Sequence, residues 1–287
     1  MEIVKPKTDV VFKRIFTDKN NVDLLQDLLS AILDIPSNSI KNIEVKNGEL
    51  PPEAIGNKFG RLDISLEFEN TLVNIEMQVN KQSDFSDRVL FYWAKLYTSS
   101  LKAGDDYGQI QSSISINIVD FNMFECKEFH SAFTMMEKKR YEVLSDKCQI
   151  HFLELNKLAE EPKTKLEIWL KLIDAESEEE LDMLANMESS MIENTPIQKA
   201  IMVVKELSAD EKLKELARLR EKALHDEASA LKTAKEEGRT EGRTEGIIEG
   251  IEKVALNMLK QGNIVKEQIA ALTGLSLSRI EEIERNL

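Results

Sequence analysis

Cysteine, histidine and long hydrophobic runs are all scarce in this chain of 287 residues. The two cysteines and three scattered histidines lack the spacing of a zinc site, and so few cysteines fit a reducing compartment. No uninterrupted apolar run approaches the length of about 18 residues that a membrane-spanning helix needs. The N-terminal segment has no long apolar stretch with a small-residue cleavage site, so we expect no signal peptide. These absences predict a cytoplasmic protein without a membrane segment.

Acidic residues outnumber basic ones, which gives a formal net charge of −14. Most of the excess acid lies in residues 151–287. A DNA-binding surface would therefore need a local group of lysine and arginine, because counterion release depends on positive charge at the interface. Hydrophobic residues make up 42% of the chain, enough for a buried core. The composition permits a nucleic-acid function without supporting it.

Helix and strand patterns alternate up to about residue 156, which predicts an α/β core. Beyond about residue 163 only helical periodicity remains. We therefore divide the chain into a core at 1–156, a helical extension at 157–237 and a tail at 238–287.

Polar and apolar residues alternate along segment 59–79, which is typical of a β-hairpin. If residues 69–70 form a two-residue turn, Asp63 lies opposite Glu76, and Gln78 shares the face of Glu76. Two adjacent carboxylates repel unless a cation lies between them, and Mg²⁺ accepts such oxygen ligands. The alternative is a solvated polar face without function, and a three-residue turn would separate the two acids.

Four motifs in order, TDVVFKRIF, RLDI, NIEMQ and DRVLFYWAKLYTSSLKAGDDY, resemble the Rpn family of recombination-promoting nucleases, also described as PD-(D/E)XK-family transposases. The resemblance covers about residues 5–125. It implies a restriction-endonuclease-like core, a mixed central sheet flanked by helices, here followed by an all-helical C-terminal extension.

The same resemblance implies roles for individual residues. Asp63 and Glu76 would ligate Mg²⁺, for which Mn²⁺ can substitute, and the carbonyl of Met77 would point at the metal. Gln78 occupies the position of the usual lysine; since it carries no charge, it would orient water or bind phosphate. Asp9 on the first helix is an accessory candidate, or it simply complements the helix dipole.

Two arginines are candidates for contacts with DNA phosphates. Arg61 lies opposite Gln78 in the predicted hairpin register. Arg88 shares a helix face with Tyr92 and could reach a phosphate. The other interpretation of Arg88 is a surface arginine whose stem covers a core tyrosine.

The tail carries a glycine stripe, in which Gly238, Gly242, Gly246 and Gly250 recur at every fourth residue. Each glycine disfavours a helix by about 1 kcal/mol relative to alanine. The stripe favours close helix contact in a homo-oligomer, with a hinge as the alternative. A helix-turn-helix spacing follows around Gly274, but its acidic second helix favours a protein-interaction module over DNA reading.

The resulting hypothesis is a bacterial, cytoplasmic, magnesium-dependent DNA endonuclease with Asp63, Glu76 and Gln78 as its catalytic set. It would hydrolyse phosphodiester bonds in recombination, transposition or mobile-element defence. The alternative is a catalytically weak or inactive nuclease-fold protein that acts as a DNA-associated or regulatory oligomer.

Overall fold

The structure is a computed structural model that describes residues 3–46, 63–187 and 195–287. It divides into two compact units, Met1–Leu224 and His225–Leu287. Arg61, the predicted phosphate contact on the first arm of the hairpin, lies outside the described residues. The domain boundaries predicted after residues 156 and 237 remain predictions.

A mixed sheet forms the centre of the first unit. Its described strands are β1 (Glu44–Lys46), β2 (Ile64–Phe68), β3 (Thr71–Gln78), β4 (Ser112–Val119), β5 (His130–Met136) and β6 (Val143–Glu154). They are hydrogen-bonded in the order β1-β2-β3-β4-β6-β5. The three central strands β3, β4 and β6 run parallel, and the flanking pairs are antiparallel.

Helices flank this sheet and predominate in the described residues after it. The described helices are α1 (Asp9–Phe16), α2 (Val22–Leu33), α3 (Phe85–Ser99), α4 (Lys165–Asp174), α5 (Glu178–Asn186), α6 (Thr195–Leu207), α7 (Glu211–Gln261), α8 (Lys266–Thr273) and α9 (Leu277–Arg285). None of them is both long enough and apolar enough to cross a bilayer. The sheet with its helices confirms the predicted fold class, including the all-helical extension.

The two faces of β3 have different chemistry because successive side chains alternate across a strand. Val73, Ile75 and Met77 are buried in the main hydrophobic core, to which α1, α2 and α4 also contribute. The alternate positions, which include Glu76 and Gln78, face α3. The main core therefore lies on one side of the central strands and a polar stripe on the other.

The β2–β3 hairpin has the predicted register. Phe68 pairs with Thr71 and Ile64 with Ile75, so residues 69–70 form a two-residue turn. Glu69 adopts a positive φ of 48°, as such turns require. Asp63 lies one residue before β2 begins, so its backbone is outside the ladder although it continues the register towards Glu76.

The second unit has a small hydrophobic core of its own. Ala255 of α7, Ile269 of α8 and Ile280 of α9 are fully buried together. Gly274 ends α8 with a φ of 75°, a conformation in which glycine avoids the steric penalty of a Cβ atom. The predicted helix, turn and helix are thus present around this glycine.

Candidate active site

The carboxylate of Asp63 is held by two contacts at the end of the hairpin. Its Oδ2 accepts a hydrogen bond of 2.9 Å from the backbone N–H of Met77. Its Oδ1 lies 3.0 Å from the ammonium Nζ of Lys13 on α1. Only 13% of the Asp63 side chain is exposed. The side chain is therefore fixed beside β3 even though the strand pairing has stopped.

Glu76 and Gln78 point to the same side of β3 and share one partner on α3. The Nη2 atom of Arg88 donates to Glu76 Oε1 at 3.0 Å and to Gln78 Oε1 at 2.7 Å. Its Nη1 donates to Gln82, and the guanidinium lies over the ring of Phe85. Arg88 thus faces the sheet and fixes the orientation of both predicted site residues.

The negative charge of Asp63 acts on the carboxylate of Glu76. Burial raises the pKa of Glu76, and the negative charge of Asp63 acts in the same direction. The positive charges of Arg88 and Lys13 oppose this rise in pKa without cancelling it. Glu76 is therefore a buried carboxylate beside a second acid, an arrangement that a divalent cation would stabilise.

The polar stripe around Glu76 contains unsatisfied oxygen atoms. Asn117 on β4 pairs with Glu76 in the parallel register and is 1% exposed. Within the described part of the chain, its buried Oδ1 has no hydrogen-bond partner, and the same holds for Asn74 Oδ1. Such atoms are costly unless a ligand or water reaches them, so they add acceptor capacity next to the carboxylates.

The carbonyl of Met77 faces the edge where Asp63 lies. The N–H and C=O of one strand residue point to the same neighbouring strand. The N–H of Met77 bonds to Asp63, whereas the carbonyl of Gln78 accepts from Asp120 beyond β4. The backbone oxygen of Met77 is thereby directed towards the Asp63 side of the strand.

Asp9 has other partners. The Nε atom of Arg220 on α7 lies 3.1 Å from both of its carboxylate oxygens, and Oδ1 also accepts from the amide of Val10. In the described residues no contact joins Asp9 to Asp63 or Glu76. Its accessory role remains a prediction.

Sequence reasoning missed Lys13 and Asn80 at this site. Lys13 is part of the motif TDVVFKRIF but lies 50 positions from Asp63, so only the tertiary fold brings them together. Asn80 accepts from Gln78 Nε2 at 2.8 Å through its carbonyl and donates to the carbonyl of Leu224 at 3.1 Å. No local sequence pattern predicts either contact.

Comparison with known proteins gives a family assignment. The model of the PD-(D/E)XK nuclease family transposases matches residues 6–234, which include every described residue of this site. The chain belongs to this family. No curated protein and no solved structure matches it. The family assignment confirms the resemblance seen in the motifs and supports a nuclease-related function.

PD-(D/E)XK nucleases generally use divalent metal ions, and the donor set here fits such an ion. Asp63 and Glu76 supply carboxylate oxygens, and Met77 supplies a carbonyl oxygen. Across the described ranges, no three His, Cys, Asp or Glu side chains converge. A metal would therefore complete its shell with water, as Mg²⁺ usually does in proteins.

Proposed function

We propose that this PD-(D/E)XK family member is a metal-dependent DNA endonuclease that hydrolyses phosphodiester bonds at Asp63 and Glu76. The observation that carries the proposal is the hydrogen bond from the Met77 amide to Asp63. Since Met77 directly follows Glu76, this bond holds the Asp63 carboxylate close to the strand position of Glu76. This placement of Asp63 beside β3 supports a shared cation, because Mg²⁺ is bound by oxygen ligands such as carboxylates.

Each residue of the site has a task in this proposal. Asp63, Glu76 and the Met77 carbonyl would hold Mg²⁺, with Mn²⁺ as a substitute. When bound, such an ion would supply a more acidic water molecule and would offset charge on the phosphate. Arg88 keeps Glu76 in place through its 3.0 Å contact, and Gln78 accepts a hydrogen bond from the same guanidinium. The substrate is DNA, in recombination, transposition or mobile-element defence in the bacterial cytoplasm.

Supercoiled plasmid with Mg²⁺ tests the proposal. We expect nicking by the wild type and a loss of about 10²-fold or more in Asp63→Ala and Glu76→Ala, since each removes a charge that acts on the transition state. Glu67→Ala is the matched control, because this carboxylate lies on the same hairpin but binds Lys46 and Gln111. Undiminished nicking by both site variants would remove this site from the mechanism.

A second candidate function follows from the state of Gln78. Both ends of its amide are engaged, one by Arg88 and one by Asn80. A site with this amide in place of a lysine is consistent with a weak or inactive nuclease that acts as a DNA-associated or regulatory oligomer. Calorimetric titration with Mn²⁺ discriminates between the two, because only the endonuclease requires uptake that Asp63→Ala abolishes.

A further inference from the structure

A positively charged side chain from outside the β-hairpin, that of Lys13, contacts the candidate site. Lys13 lies in the last turn of α1, whose opposite side buries Val11, Phe12 and Ile15 in the main core. This packing fixes the helix, so the lysine is presented to the hairpin from a rigid element. Its Nζ lies 3.0 Å from Asp63 Oδ1, and its charge also acts on Glu76.

The two other groups that could meet a phosphate are already engaged. Gln78 uses its amide oxygen on Arg88 and its amide nitrogen on Asn80. Arg88 uses its terminal nitrogens on Glu76, Gln78 and Gln82. An ammonium group has three donors. In the described residues the Lys13 ammonium makes a single salt bridge, to Asp63, and 31% of its side chain is exposed.

We propose that Lys13 is a catalytic residue whose ammonium group, delivered from α1 instead of β3, contacts the phosphate that is cut beside Asp63. The inference rests on the proposed nuclease function. It assigns to Lys13 the positive charge that the usual lysine would supply and that Gln78 lacks. A fixed positive charge at this point stabilises the negative charge that develops on the phosphate oxygens.

The proposed hydrolysis of the phosphodiester requires no chemical change at Lys13. The oxygen of a water molecule forms a bond to phosphorus, and the bond from phosphorus to the leaving sugar oxygen breaks. The water loses a proton and the leaving oxygen gains one, which gives a phosphomonoester end and a hydroxyl end. Lys13 stays protonated throughout and acts only through charge and hydrogen bonding.

Lys13→Met in the full-length chain tests this assignment, with Lys13→Arg as the variant that keeps the charge. We expect Lys13→Met to slow plasmid cleavage at saturating Mg²⁺ by about 10²-fold or more, and Lys13→Arg to retain more activity than Lys13→Met. Lys19→Met, which removes an exposed lysine just beyond α1, is the matched control and should cleave as the wild type does.

Calorimetric titration with Mn²⁺ in the absence of DNA supplies a second readout. We expect Lys13→Met to bind Mn²⁺ at least as tightly as the wild type, because the lysine competes with a cation for Asp63. Loss of Mn²⁺ binding in Lys13→Met would make the residue a support for Asp63 and overturn the catalytic assignment, as would full cleavage activity. An inactive wild type would instead contradict the proposed function itself, and this inference would fall with it.

Discussion

The first unit of this protein buries large aromatic and aliphatic side chains between a mixed sheet and its helices, whereas the second buries only three residues. Trp169, Phe12 and Phe16 are fully enclosed in the first unit, and Ala255, Ile269 and Ile280 form the whole enclosed centre of the second. Hydrophobic stabilisation scales with the apolar area buried. The family match covers residues 6–234, and the candidate site lies in the better-packed first unit.

Trp169→Ala should have the largest effect on stability, since it removes a large, fully buried ring from the core of the first unit. The ring packs against Phe16, and Nε1 donates to Asp27 at 2.9 Å. We expect a loss of about 3–5 kcal/mol in the free energy of unfolding. Urea unfolding followed by circular dichroism measures it, with Leu231→Ala in the exposed part of α7 as control. Equal losses in both variants would contradict the difference between the units.

Acid should destabilise the first unit through a histidine pair in which His151 is buried and His130 is half-buried. Nδ1 of His151 lies 2.9 Å from Nε2 of His130. Burial and then the charge of His130 lower the pKa of His151 to about 4, and burial also lowers the pKa of His130. The unfolded chain therefore binds more protons, so stability should fall as the pH drops from about 6.5 to about 4, by up to about 3 kcal/mol.

The difference between the wild type and His151→Gln isolates this pH dependence, since the raised pKa of Glu76 acts in the opposite direction. His225→Gln is the control because this histidine is exposed in the second unit. Parallel pH profiles of stability for the wild type and His151→Gln would contradict the prediction.

Ile269→Ala should weaken the second unit alone. The side chain is fully buried, and we expect a loss of about 2 kcal/mol. Backbone hydrogen exchange across α8 and α9 should become faster. Both tryptophans, Trp93 and Trp169, lie in the first unit, so the tryptophan fluorescence transition should stay unchanged. A shift of that transition by the same amount would mean that the two units unfold together.

Alanine in the glycine stripe should have the smallest effect, and it sharpens the prediction of a homo-oligomer. A Cβ atom at Gly242 or Gly246 meets nothing within 4 Å in this chain, so each substitution should stabilise α7 by at most about 1 kcal/mol. If the stripe lies against a second copy, the double variant should associate more weakly in sedimentation velocity. Thr240→Ala serves as control, and an unchanged mass in the double variant would favour the hinge.

Local patterns predicted the hairpin well because its register depends on neighbouring residues and a two-residue turn. They do not predict β5, because it is an edge strand with mostly exposed side chains and no alternation. At the site, the face shared by Glu76 and Gln78 follows from strand geometry. The contacts of Lys13 and Arg88 with the hairpin and of Arg220 with Asp9 do not, since only the tertiary fold brings these residues together.

The start of α7 is bonded at two points to the part of the chain that contains the candidate site: Arg220 binds Asp9, and the carbonyl of Leu224 accepts from Asn80. A shortened protein that stops before Arg220 would leave the Asp9 carboxylate without its guanidinium and Asn80 without an acceptor. The minimal fragment worth expressing therefore extends past Leu224, well beyond the last strand of the sheet.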